Sequence, residues 1–557
     1  MVKVSSTQPL HGRGFDVLII GGGINGVAIA RECAQQGKRT LLVEQQDFGA
    51  GTTSRSTRII HGGLRYLEMG EVGLVRESLR ERERLLRELP HLVRPMQFLL
   101  VLPKPAHSLL RSGLAVRTGL WLYHRWAGGH RDRPSDLAMF ESRLDSGQQW
   151  SIYSYEDAQC EFPERLVAEW LAESTDAGAV VRNHTQALEV MRSNGRVTGA
   201  RLRDGISGQE YAVNATWVIN ATGPWADFLV KASGISARRM IGGMRGSHLV
   251  MPKWHGAPEQ AVYTEASDGR QIFVLPWNKQ MLVGSTEVID SDDPGQTQPS
   301  AEEIEYLFSN LLRLFPACGL TRADIHHAYA GVRPLPWAPG KKYSSITRKH
   351  ILHEHKADGA AGLISIIGGK LTTAASLARD VGRKLGLPAT EQLLQFASPV
   401  AEEGVASVVR QWARTVAAKA HISEGCAQGI AEWHGRHALA VAHAASLDER
   451  LREPICAHSC HLVAEAVEAV AHESAITLGD ILLRRVPVAL GACWSADCSR
   501  EAATKIGGAL GWDSMRIGED LESFEEERRL FLHPQPRPAS PGGCQGTPHA
   551  PVRSEIA

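Results

Sequence analysis

DVLIIGGGINGVAIARECAQQGKRTLLVE, residues 16–44, decides the fold. The apolar run Val17-Leu18-Ile19-Ile20 reads as a buried parallel strand, and Gly21, Gly23 and Gly26 follow where a helix should begin. A phosphate is the expected guest. Gly21 allows a tight turn, Gly23 lets backbone approach a pyrophosphate, Gly26 permits close packing of helix on strand, and the helix N-terminus offers free N–H groups. Gly37 closes the helix, Thr40-Leu41-Leu42-Val43 returns as a second strand, and Glu44 stands where a carboxylate accepts ribose hydroxyls. A glycine triplet alone is weak evidence. Strand, glycines, helix, second strand and acid at workable spacing together specify a dinucleotide site, without choosing between NAD and FAD.

The 557 residues allow two to four domains, and Lys plus Arg balances Asp plus Glu at 61 each, so no global field attracts nucleic acid. Nine cysteines, an odd number with no secretory pattern before them, lead us to expect reduced thiols in the cytoplasm. Cys456-Ala-His-Ser-Cys460-His461 has metal-ligand character, but no second pair stands at zinc-like or iron–sulfur spacing, so no metal is expected. No run of about 18 apolar residues occurs to span a bilayer. A segment able to lie on one does occur, because no acid falls between Glu88 and Asp132 while Lys104, Arg111, Arg117 and Arg125 accumulate there. A helix opening after Pro103-Lys-Pro105 would place Arg111, Thr118 and Arg125 on one face and Leu109, Val116, Leu120 and Tyr123 on the other, with Trp121 and Trp126 as anchors. Peripheral membrane contact is therefore expected around residues 104–126; the alternative is a helix packed on its own protein.

Farther along, Leu166–Gly178 reads as a helix, Ala187–Arg192 with Arg196–Arg203 as a hairpin, and Thr216–Asn220 as a buried strand running into the small-residue turn Ala221-Thr-Gly-Pro-Trp-Ala226. Alternation in Gln271–Leu275 and Gln280–Gly284 predicts an antiparallel sheet able to roof a ligand, and residues 399–532 read as mostly helical. Three segments concentrate chemistry. Thr52–Leu67 carries five hydroxyls and then His61, Arg65 and Tyr66; Arg245-Gly-Ser-His-Leu249 follows; and the pair Tyr329–Leu335 and Ile366–Thr373 comes last.

GGGINGVAIA, IIHGGLRYLE (59–68), NATGPWA (220–226), RGSHLV (245–250), GVRPL (331–335) and IIGGKLTT (366–373) together resemble the FAD-dependent glycerol-3-phosphate dehydrogenases, of the D-amino-acid oxidase type. The likeness runs in order from Asp16 to Leu385, and Ala464–Ala489 also resembles that family's C-terminal cap. The resemblance implies an α/β protein: a Rossmann-like FAD-binding domain, an antiparallel β substrate domain and a helical C-terminal cap. It divides the chain into a flexible N-terminus (1–14), an FAD-binding domain within 15–395 (mainly 15–75, 150–237, 331–395), an interleaved substrate and membrane-contact domain (mainly 76–149, 238–330), a helical domain (396–533) and a disordered tail (534–557). It puts Gly21, Gly23, Gly26 and Glu44 on the ADP half of FAD, Thr53, Ser54 and Gly223 beside the cofactor, and Gly369, Leu371 and Thr372 along the flavin edge. His61, Arg65, Tyr66, His248, Arg333, Arg348 and Lys370 would converge on the substrate.

The implied reaction is oxidation of sn-glycerol 3-phosphate to dihydroxyacetone phosphate by hydride transfer to FAD, with electrons passed to a membrane quinone at the cytoplasmic face of the inner membrane. Arg333 and Arg348 suit a phosphate clamp, because a guanidinium fork matches phosphate oxygens. A base of near-neutral pKa suits the hydroxyl proton, so His248 is expected to act, with His61 second and Lys370 and Arg65 stabilising developing charge. A glycerol-3-phosphate oxidase using oxygen, a flavin-dependent amine or amino-acid oxidoreductase, and a flavin-binding scaffold are the competing readings, and a homodimer is left open. Two departures from the family pattern stand out: Ala374-Ala375 replaces an aromatic and a basic residue, and Glu161–Arg165 lacks paired aspartates.

Overall fold

The computed structural model describes residues 10–67, 69–104, 113–127, 137–290, 292–341, 346–388 and 405–533. These fall into two compact units, 10–388 with 528–533 and 405–527. Among the described residues the larger unit contains two sheets. The first is a wound parallel sheet in the order β16 (Ile351–Glu354), β17 (Leu363–Ile367), β9 (Glu210–Asn220), β1 (Gly14–Ile20), β2 (Thr40–Val43), β6 (Val180–Arg182). β16 joins antiparallel, and the hairpin of β7 (Thr185–Ser193) and β8 (Arg196–Asp204) attaches through β9. β1 lies between β2 and β9 with both faces covered, so an unbroken Val17–Ile20 run belongs there. The Ile24–Gln35 helix packs against the Pro163–Asp176 and Ala374–Lys384 helices, and Val27, Ile29, Trp170 and Leu377 share one core with Ile19 and Leu42.

The second sheet runs β14 (Val288–Ile289), β10 (Met244–Pro252), β13 (Gln280–Gly284), β12 (Gln271–Trp277), β11 (Ala261–Glu265), β4 (Val93–Pro103), β5 (Trp150–Cys160), β3 (Ile59–Ile60), with β15 (His327–Arg333) on β10. It is antiparallel but for the parallel pair β4–β11, and it draws three strands from before residue 161. The Ala301–Leu314 helix covers it through Ile304, Leu307 and Leu311. That helix begins in a Ser300/Glu303 capping box, and the Glu303 carboxylate also accepts from Ser247 and Thr286 and pairs with Arg245. Arg245 is thus anchored behind the sheet.

The basic segment forms a helix over Gly113–Ala127; Leu109 and Arg111 lie outside the described residues. The apolar stripe expected to meet a bilayer is in part buried on the protein: Leu120 and Tyr123 are buried, and the Tyr123 hydroxyl donates to Asp157 at 2.6 Å while accepting from Gly62 N–H at 2.9 Å. Arg117, Thr118, Trp121 and Arg125 are exposed, and Trp126 stacks under Arg76. Among the described residues no helix is long and apolar enough to cross a membrane.

The smaller unit is helical, its core formed by Val416, Ile430, Val441 and Leu462 among many alanines. Glu465 is enclosed there by His434 Nε2 at 2.8 Å and His461 Nδ1 at 2.9 Å. Asp480 caps the 476–478 turn and pairs with Arg484.

Candidate active site

A cavity of about 1070 Å³ lies between the two sheets of the larger unit. At one end is the glycine turn. Gly21 has φ +106°, and a Cβ there would lie 2.6 Å from the Ala221 carbonyl oxygen; one on Gly26 would lie 1.8 Å from that of Gly21. Gly26 is therefore a packing glycine away from the cavity, whereas Gly23 opens onto it, and a Cβ there would lie 3.4 Å from Thr53 Oγ1. The Thr53 hydroxyl accepts from Ile24 N–H at 3.0 Å and so caps the first helix. Glu44 accepts from Gly22 N–H at 2.6 Å and Gln46 N–H at 3.0 Å, and burial raises its pKa against those bonds. A backbone cradle, a helix N-terminus and a carboxylate ending the second strand fit the pyrophosphate and ribose of FAD. Gly223, Gly369, Leu371 and Thr372 also line the cavity. Ser54 does not: it is buried beneath the wall and donates to Gly49 O at 2.7 Å, contrary to its expected place beside the cofactor.

At the other end the structure brings together His61, Tyr66, His248, Arg333, Arg348 and Lys370. Arg65 lies in the Leu64–Leu67 turn, its side chain outside the described part. Lys370 Nζ sits 4.4 Å from the Tyr66 ring centroid and donates to Ser78 Oγ at 3.2 Å. Arg333 donates to Ser285 Oγ and, at 3.3 Å, to Thr286 O, and Arg348 lies 3.6 Å from Glu287. The consecutive residues Ser285, Thr286 and Glu287 thus anchor both guanidinium groups. His248 stacks on Tyr329 at 4.9 Å; its Nε2 meets Thr57 Oγ1 at 2.9 Å, and its buried Nδ1 has no hydrogen-bond partner among the described residues.

The electrostatics differ from the expected near-neutral base. Burial, then Arg333 and Arg58, hold His248 well below its ordinary range, and burial with Lys370 pushes His61 down to about 3. Both imidazoles are neutral at working pH. Burial also lowers Lys370 to about 7, against the raising pull of Glu77 and Glu71, so the lysine titrates near neutrality.

In the cavity wall Arg58 and Glu164, both fully buried, form two bonds of 2.9 Å, and Arg82 pairs with Asp157 at 3.0 Å. Glu164 supplies a buried acid in the segment that lacks paired aspartates, and Ala374 is buried at the start of its helix. Sequence reasoning missed Phe98, Tyr155, Tyr263 and Phe273, aromatic residues lining the cavity, with Tyr263 stacked on Phe273 at 4.7 Å. The alternation of β12 around Phe273 was the available signal. The anchors Ser285 and Glu287 were visible as Gly284-Ser-Thr-Glu287 but carry no pattern of their own.

The wound sheet, glycine cradle and roofing sheet define an FAD-dependent oxidoreductase. Residues 16–375 match the FAD dependent oxidoreductase family, and residues 400–517 match the C-terminal domain of alpha-glycerophosphate oxidase. The chain is 38% identical to a glycerol-3-phosphate dehydrogenase of Synechocystis, covering 86% of this chain and 89% of that one. It is 32% identical to glycerol-3-phosphate dehydrogenase 2 of Mycobacterium bovis, covering 92% and 87%. The crystal structure of the Bacillus halodurans glycerol-3-phosphate dehydrogenase complexed with FAD superposes with a TM-score of 0.73 at 23% identity, over 95% of this chain and 96% of that one. The chain belongs to the glycerol-3-phosphate dehydrogenase and oxidase family of flavoenzymes, and its cofactor is FAD.

Proposed function

We propose that this enzyme oxidises sn-glycerol 3-phosphate to dihydroxyacetone phosphate and passes the electrons to a membrane quinone. The observation that carries the reading is the pair Arg333 and Arg348, anchored on one three-residue segment and lining the cavity that also holds Lys370 and His248. Two guanidinium forks and an ammonium match the charge of a phosphomonoester; an amino-acid substrate needs one carboxylate-binding arginine. When bound, FAD supplies the hydride acceptor. Gly23, Glu44, Thr53, Gly223, Gly369, Leu371 and Thr372 would hold it, with Gly21 and Gly26 shaping the turn.

Arg333 and Arg348 bind the phosphate and so fix the C2 hydroxyl relative to the ring. His248, kept neutral by burial and by two arginines, takes the hydroxyl proton; Thr57 orients its imidazole. So weak a base is effective only if the proton leaves together with the hydride, when the hydroxyl is most acidic. Lys370 stabilises the oxygen as charge grows on it, Tyr66 positions that lysine, and His61 completes the surround. The aromatic wall helps keep water from the reacting carbon.

Membrane placement rests on exposed Arg117, Trp121 and Arg125, a basic surface with one aromatic anchor. Anaerobic addition of glycerol 3-phosphate should bleach the oxidised flavin spectrum. A quinone analogue should then restore it faster than oxygen does; faster return with oxygen and release of hydrogen peroxide would make the enzyme an oxidase. No bleaching with this substrate would remove the reading.

A further inference from the structure

The sequence motif Cys456-Ala-His-Ser-Cys460-His461 is reorganised by the fold of the helical unit. His461 is committed elsewhere, stacked on Trp433 at 3.7 Å and bonded to Glu465, and Cys460 is exposed. The other two donors turn toward a residue from another element. Cys456, His458 and Cys498 place their ligand atoms within 4.8 Å of one another, with His458 Nδ1 3.3 Å from Cys498 Sγ. We propose that Cys456, His458 and Cys498 form a binding site for a soft divalent cation, zinc being the natural occupant.

The geometry suits zinc. At Zn–S of about 2.3 Å and Zn–N of about 2.0–2.1 Å, a tetrahedral site sets its ligand atoms roughly 3.5–3.8 Å apart, so the gathering needs shifts of no more than about 1 Å, shared among the three side chains. Both cysteines are buried while His458 is exposed, which leaves one side open for a fourth ligand from solvent. The site is also supported from behind. Cys498 is the third residue of the Ala496–Leu510 helix, its N–H donates to the Ser495 cap at 3.3 Å, and the positive helix end favours a thiolate. Against burial, hydrogen bonds from Ser495, His458 and Cys456 hold the Cys498 thiol below its ordinary range, while burial pushes Cys456 up to about 12. Because a cation binds the deprotonated sulfurs, its binding is tied to release of thiol protons to the solvent. Glu501 accepts from Ala457 N–H at 3.0 Å, fixing the backbone between the two donors on the loop. A bound cation would staple residues 456–458 to a helix whose cap lies some forty residues downstream.

The test uses the full-length flavoprotein, dialysed against zinc and then against metal-free buffer. Elemental analysis should find about one zinc per chain in the wild type and in Cys460→Ser. Cys456→Ser and Cys498→Ser should lose it with flavin content unchanged. On wild-type protein alone, peptide mapping after alkylation should show Cys456 and Cys498 protected by zinc and exposed by a strong chelator, at least tenfold in rate, with Cys460 alkylated equally in both. A zinc-free wild type, zinc retained when both Cys456 and Cys498 are serine, or a Cys456–Cys498 disulfide in the enzyme as purified would each overturn the assignment.

Discussion

On the cavity wall Arg333 and Arg348 are tethered by a hydroxyl, a carbonyl and a carboxylate 3.6 Å away; in the helical unit Glu465 is enclosed by two imidazoles at 2.8 and 2.9 Å. The same kinds of side chain do different work. A buried carboxylate enclosed by two imidazoles is part of the architecture, whereas two guanidinium groups held along a cavity wall suit the anion that the proposed reaction would bring there. Arg58–Glu164 shows that the distinction does not follow the boundary between units, since this pair belongs to the cavity wall and is closed like the helical unit's.

The largest effect should come from opening that closed pair. Glu164→Ala leaves the Arg58 guanidinium buried without its carboxylate and should cost about 3–5 kcal/mol, read as a lower urea midpoint of the larger unit. Arg333→Ala should behave in the opposite way: unfolding and flavin content stay near wild type while kcat/KM for glycerol 3-phosphate falls. Losing two charge-assisted hydrogen bonds amounts to about 3 kcal/mol, on the order of a hundredfold. Loss of flavin in Arg333→Ala would erase the contrast.

Lys370 sharpens the comparison through pH. Its folded value of about 7 lies below the ordinary 10.5, so its charge is full on the acid side and is lost as pH rises through 7. Anaerobic reduction measured as kcat/KM should therefore decline toward tenfold per unit above that point, and Lys370→Arg, charged throughout, should abolish the decline. The smallest effect belongs to Glu465, which its histidine partners hold down at about 2 in spite of burial. Its contribution to stability is present above 4.5 and is lost as pH falls toward 2, so the helical unit should weaken over that window. Glu465→Gln should flatten that dependence; His434, His461 and Glu473 are the groups that face it.

How much could be read in advance follows from the range of each interaction. The strand-glycine-helix-strand unit at 16–44 was legible because its signals are local, and the late cluster of His61, His248, Arg333, Arg348 and Lys370 became legible through family motifs. Ser54 was misplaced because a hydroxyl after a ribose acid reads alike whether it faces a cofactor or a buried carbonyl. The lowered pKa of His248 was invisible, since it arises from burial in the folded chain and then from Arg333 and Arg58, 85 and 190 residues away in sequence. The sulfur that completes the Cys456 and His458 group comes from another helix for the same reason.

The Gly113–Ala127 helix carries Trp121 on its outer side and is joined on its inner side through the Tyr123 hydroxyl to Gly62 N–H. Gly62 directly follows His61. Tyr123 therefore ties a helix with an exposed tryptophan to the peptide beside His61, a residue of the cavity wall.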